Sequence, residues 1–240
     1  MRGMDCPTPP PTSTASADAS PASRTPRSGR TRIKICGLTR EADVDAAVDA
    51  GADAIGFVLY PRSPRAIGAE RAAVLARRLP PFVTPVLLYV NAAPDEITAG
   101  VQAVPQALLQ FHGDETPAQC DAAGRPYLRA ARMVPGFGLL DFAARFGNAC
   151  ALLLDAPVEG YGGGGEVFDW SAIPPDVPCP VVLSGGLRPA NVADGVLRVR
   201  PWAVDVSSGV ESAKGIKDAA LMRRFCQAVR AADERLATAP

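Results

Sequence analysis

Two side chains of this sequence stand where an acid–base reaction could be run. Cys36 closes the short run Lys34-Ile35-Cys36 and is followed by Gly37, and Asp155 closes Leu152-Leu153-Leu154. A thiolate at such a place can attack as a nucleophile or accept a proton, and a carboxyl group can give or take one. Each has a plainer reading as well. A lone Cys is often a small buried hydrophobe, and an Asp after an apolar run is often a turn or cap residue. A carboxylate there must still be solvated, paired or functional, because burying it bare is costly.

Other segments could hold anions. Ser184-Gly185-Gly186-Leu187 and Ser207-Ser208-Gly209-Val210 each follow an apolar run. Glycines let backbone N–H groups come close to phosphate oxygens, and the Ser hydroxyls can donate too. Taken singly, such segments are also ordinary turns or N-caps. In Tyr60-Pro61-Arg62-Ser63-Pro64-Arg65, two Arg held by prolines could grip a carboxylate at two points, with a solvated basic loop as the alternative. His112 ends a run, where a hydrogen-bonded structural histidine is the plainer reading. Asp205 ends another, and Tyr161 to Gly165, with its four consecutive Gly, is either a lid or a linker.

The 240 residues hold 25 acidic and 25 basic side chains. That balance argues against a nucleic-acid binder working through a broad basic surface. No window approaches the ~18 unbroken apolar residues of a membrane-spanning helix. One His among 240 residues excludes a multi-His metal site. It also leaves a Ser-His-Asp hydrolase only His112, with no nucleophile elbow beside it. Six Cys stand alone, without a C-x-x-C pair, which suits a reducing cytosol and predicts a cytoplasmic location.

These residues need a frame to bring them together. Residues 1–30 are Pro, Ser, Thr and Ala with almost no large apolar side chain, so a disordered tail is expected; they hold no apolar run of the secretory type. From Thr31 the pattern changes. Strands are expected at Arg32–Cys36, Ala54–Val58, Thr84–Val90, Ala107–His112, Tyr127–Arg132, Cys150–Asp155, Val181–Ser184 and Ala203–Val206. Helical patterns lie near Glu41–Ala50, Ala69–Leu79, Asp95–Val104, Thr116–Ala123, Phe137–Phe146, Pro189–Val199 and Lys217–Leu236, with only a weak signal around Trp170–Ile173. The strands are near-continuous apolar runs, as parallel strands covered on both faces should be.

Eight such units over residues 31–240 predict a single α/β domain, a (β/α)8 TIM barrel after the tail; a doubly wound open sheet is the competing architecture. In a barrel the chemistry sits at the C-terminal ends of the strands, with phosphate often held after strands seven and eight. Cys36 and Asp155 would then end strands one and six, across the mouth from each other.

The motifs K-I-C-G-L-T-R, G-A-D-A-I-G-F-V, Y-P-R-S-P-R, Q-F-H-G-D-E, L-L-L-D, G-G-G-G-E-V-F-D-W, L-S-G-G-L-R-P-A-N-V and A-V-D-V-S-S-G-V-E resemble the phosphoribosylanthranilate isomerase family, in order and at family-like spacing, from Thr31 to Arg230. The resemblance implies an Amadori rearrangement of N-(5-phosphoribosyl)anthranilate to 1-(2-carboxyphenylamino)-1-deoxyribulose 5-phosphate in tryptophan biosynthesis, without metal or organic cofactor. By matching position, Asp155 is the general acid and Cys36 the general base, and Arg65 holds the anthranilate carboxylate. Gly185, Gly186, Ser207, Ser208 and Gly209 match the phosphate site, while Asp205 and His112 are candidate substrate-lining residues. The expected partner is a small phosphoribosyl substrate, not nucleic acid or membrane, met by a monomer or a homodimer. One position departs from the pattern: Glu166 stands where many relatives carry Lys.

Two other functions would fit a barrel of this kind. A histidine-pathway ribonucleotide isomerase would show an Asp where this chain has Cys36. A silent barrel kept as an interaction module would be expected to have lost Cys36 or Asp155.

Overall fold

A computed structural model describes residues 29–157 and 167–238. Residues 1–28 of the expected 1–30 tail, the run from Tyr161 to Gly165 and Glu166 lie outside the described residues. Arg30, at the expected boundary of the tail, pairs with Asp53.

The eight strands are β1 (Arg32–Cys36), β2 (Ala54–Val58), β3 (Thr84–Tyr89), β4 (Leu108–Phe111), β5 (Tyr127–Arg132), β6 (Ala151–Asp155), β7 (Val181–Leu183) and β8 (Ala203–Val206). They pair in sequence order and in parallel, and β8 closes onto β1, giving a closed barrel. Helices α1 (Glu41–Asp49), α2 (Ala69–Ala76), α3 (Pro94–Ala103), α4 (Pro117–Ala122), α5 (Leu139–Arg145), α6 (Val192–Val199) and α7 (Ala219–Thr238) fill the connections. The weak signal after β6 is a 3-10 turn, Trp170–Ala172. The predicted (β/α)8 architecture is therefore the observed one.

Alternation along each strand separates two packing faces. Ile33, Ile35, Ile55, Phe57, Leu87, Leu109, Leu152, Leu154 and Val204 point outward into one large core shared with Val44, Leu75, Cys120, Val196 and Phe225 of the helices. The intervening residues point inward. Leu128, Ala130, Ala151, Leu153, Val182 and Ala203 form an apolar plug inside the barrel. Above it the inward positions turn polar: Lys34, Gln110, Asp155 and Asp205 are all buried. The mouth is thus floored by hydrocarbon and lined by groups that can bond to a ligand.

Two of the later helix starts have a visible cause. Asp218 accepts from Leu221 N at 2.8 Å, so α7 begins at Ala219 and not at Lys217. A turn at Arg188–Asn191, closed by Asn191 Oδ1 on Arg188 N at 2.8 Å, delays α6 to Val192. One element was not anticipated. After β8 the chain forms a small antiparallel hairpin, β9 (Glu211–Ala213) with β10 (Ile216–Lys217). Strands of two or three residues carry too little periodicity to be read from a sequence.

Candidate active site

A cavity of about 450 Å3 opens at the C-terminal end of the barrel. It gathers Cys36 from β1, Arg65 from the loop after β2, His112 after β4, Asp155 from β6, Gly185 and Gly186 after β7, Asp205 from β8, and Ser207 and Ser208 beyond it. Of the expected site residues only Gly209 is missing from the lining.

Asp155 is fixed from two sides. Its Oδ1 accepts from the backbone N–H of Ala156 at 3.0 Å. Its Oδ2 lies 3.0 Å from His112 Nε2. Gln110 Nε2 sits 3.0 Å from His112 Nδ1. An amide nitrogen can only donate, so Nδ1 accepts, and the ring proton is on Nε2, aimed at Asp155. His112 is thus a partner of the carboxyl group as well as part of the wall.

Cys36 is buried at the opposite side of the mouth, and burial pushes its thiol pKa up. Lys34 beside it pulls the other way, Asp205 adds to the rise, and Lys217 lowers it. Asp205, expected as a lining residue, has both oxygens engaged: Oδ1 accepts from Lys34 Nζ at 2.7 Å and Oδ2 from Ser184 Oγ at 3.2 Å.

Arg65 is nearly buried and bonded to the chain itself. Nε donates to Glu211 Oε1 at 2.7 Å and Nη2 to Oε2 at 2.8 Å. Glu211 also accepts from Lys217 Nζ at 2.8 Å, and that ammonium donates on to Ser207 O at 3.0 Å. Burial opposes the Glu211 charge, but Arg65 and Lys217 outweigh it and hold the carboxyl below its ordinary pKa. Two basic groups share one carboxylate here, and burial pushes the Lys217 pKa down while Glu211 pulls it up.

The two glycine-containing loops meet. Gly185 and Gly186 have φ of 77° and 63°, a turn that favours Gly. Their N–H groups donate to no acceptor among the described residues. A Cβ on Gly209 would collide with the Leu187 carbonyl oxygen. Gly209 therefore does not line the cavity; it lets the loop after β8 press against the loop after β7. Ser207 Oγ donates to Cys36 O at 3.0 Å, tying the same loop to β1.

Gln110, Lys34, Glu211 and Lys217 belong to this constellation and were not among the expected site residues. Alternation along β1 and β4 places Lys34 and Gln110 on the same face as Cys36 and His112, a signal the sequence did contain. Nothing in it reveals that the β9–β10 hairpin folds back on Arg65.

Comparison with known proteins points one way. Residues 33–228 match the family model of N-(5'phosphoribosyl)anthranilate (PRA) isomerase. The chain is 74% identical over 208 residues to N-(5'-phosphoribosyl)anthranilate isomerase of Methylibium petroleiphilum, covering 87% of this chain and 98% of the relative. It is 61% identical over 207 residues to the Dechloromonas aromatica enzyme of the same name, covering 86% and 100%. Among solved structures it is similar to phosphoribosyl anthranilate isomerase from Thermotoga maritima, with TM-score 0.77, 38% identity, and coverage of 84% of this chain and 99% of that one. A second, at TM-score 0.74 and 36% identity over 84% and 99%, is a phosphoribosyl anthranilate isomerase in complex with reduced 1-(o-carboxyphenylamino)-1-deoxyribulose 5-phosphate.

Proposed function

The chain belongs to the N-(5'-phosphoribosyl)anthranilate isomerase family and is an isomerase of the Amadori type, and we propose that Asp155 and Cys36 carry the reaction. Asp155, as the neutral acid, gives its proton to the ribose ring oxygen. The C1–O bond breaks while the anilino nitrogen lone pair forms the Schiff base. Cys36, as thiolate, takes the proton from C2, and the electron pair of that C–H bond moves toward the nitrogen. The resulting enolamine tautomerises to the aminoketose. Each transfer is worth roughly 10²–10⁴ in rate.

The observation that carries this reading is that Cys36 and Asp155 line one cavity, between the Arg65 loop on one side and the Gly185–Gly186 and Ser207–Ser208 loops on another. The carboxylate Asp155 leaves behind accepts from His112 Nε2 and the Ala156 N–H, so charge that develops in ring opening meets donors already in place.

Substrate recognition follows from the same geometry. With one edge of the Arg65 guanidinium spent on Glu211, its Nη1 side faces the anthranilate carboxylate. The amides of Gly185 and Gly186, with Ser207 and Ser208, receive the phosphate; Gly209 acts by closing the two loops together. Asp205 and His112 touch the sugar as polar wall residues. The enzyme acts in the cytoplasm on this small substrate, as a monomer or a homodimer; a Thermotoga maritima relative is dimeric. Among the described residues no helix is long and apolar enough to cross a membrane.

The test is turnover of phosphoribosylanthranilate generated in situ, followed by its fluorescence. Absence of consumption by the purified, folded protein overturns the reading.

A further inference from the structure

Lys34 is a charged side chain inside the barrel that the reaction described above leaves without a part. It precedes Cys36 by two residues on β1, so both side chains point inward, one layer apart. Lys34 and Asp205 are register partners across the β1–β8 pair. Nζ donates to Asp205 Oδ1 at 2.7 Å, with the two side chains 5% and 7% exposed. The same ammonium lies on the inward face of β1 that carries the Cys36 thiol, near enough for its charge to favour the thiolate. Asp205 is held in turn by Ser184 Oγ.

We propose that Lys34 is a positioning residue for the proton abstraction: its ammonium, braced by Asp205, faces the Cys36 sulfur and stabilises the thiolate that takes the substrate's proton. The proposal rests on Cys36 being the base.

A thiol is a poor base until it loses its proton, and removing it from water makes that loss harder. A cation beside the sulfur is the direct remedy. Burial disfavours the Lys34 charge, but Asp205 and Cys36 outweigh it and hold Lys34 above an ordinary lysine, so it stays charged while the thiol titrates. The other charged groups facing Cys36 are Asp205 on β8, Lys217 on the hairpin and Arg65 after β2. Lys34 and Asp205 therefore act on the thiol with opposite signs while being bonded to each other, and an experiment can use that contrast.

The experiment measures alkylation of Cys36 by iodoacetamide across pH, resolved from the other cysteines by peptide mass spectrometry, alongside the pH profile of kcat/KM. Lys34→Gln is expected to move the Cys36 titration up by about one to three pH units, and the acid limb of kcat/KM with it. Asp205→Asn, which leaves Lys34 in place and removes the opposing charge, is expected to move the titration down. Lys34→Arg should restore most of the wild-type titration. A loosened barrel would shift both variants the same way. A Cys36 titration unmoved in Lys34→Gln, or moved in one direction by both variants, overturns the proposal. If Lys34→Gln does not fold, Asp205→Asn decides alone, and an unmoved or raised titration there is fatal. Because alkylation does not depend on turnover, a failed assignment of the base shows separately, as full activity in Cys36→Ala.

Discussion

Arg65 and Glu211, 146 residues apart in the chain, face each other as a two-point ion pair, Nε to Oε1 at 2.7 Å and Nη2 to Oε2 at 2.8 Å. The arginine that the motifs mark as a carboxylate grip already holds a carboxylate of its own chain. That fixes the plane of the guanidinium and leaves its other edge for the proposed substrate carboxylate, which a planar fork with five N–H groups can serve.

Glu211→Gln should therefore raise KM by roughly tenfold with kcat within about threefold, because a loosened guanidinium weakens ground and transition states alike. A fall in kcat at constant KM would show that the pair acts in the chemistry.

The same pair links stability to pH. The Glu211 pKa is depressed in the folded state, so the folded protein binds this proton less readily than the unfolded chain. Its stabilisation is fully present above the unfolded value of about 4.3 and is lost as pH falls through the lower folded value. The gap in Tm between wild type and Glu211→Gln should be widest near neutral pH and shrink below about pH 4. A gap that is constant from pH 7 to pH 3 would contradict this.

Cys36→Ala and Asp155→Asn are each expected to lower kcat by at least about 10²-fold, with Tm close to that of the wild type. Retention of near-wild-type kcat by either variant removes that residue from the mechanism.

His112→Ala should lower kcat by about tenfold, less than loss of Asp155 itself, because it removes one of two donors to the carboxylate. KM should move little. Stopped-flow single turnover distinguishes this from slowed product release, and an unchanged chemical step would refute the role.

Gly209→Ala forces the loop after β8 away from the Leu187 carbonyl. The two loops proposed to hold the phosphate should separate, raising both KM and the inhibition constant of inorganic phosphate by the same factor. Equal phosphate affinity in the variant would show that the loops do not form one site.

The sequence alone determined the frame and the two groups proposed to react. Continuous β-branched and apolar runs followed by amphipathic stretches can only be strands covered on both faces, and a Cys and an Asp ending two of them must reach the same rim once the barrel closes. Local signals decided this because each strand and each helix is specified by its own few residues. What the sequence did not carry is who bonds to whom. Lys34 with Asp205, Gln110 with His112, and Arg65 with Glu211 and Lys217 are contacts between different elements. The β9–β10 hairpin is the sharpest case: its few residues have no periodicity, and Glu211 looks like any solvent-facing acid until tertiary packing sets it against a buried cation. Burial then converts an ordinary charge into a fixed one, since a group removed from water keeps its charge only beside its partner.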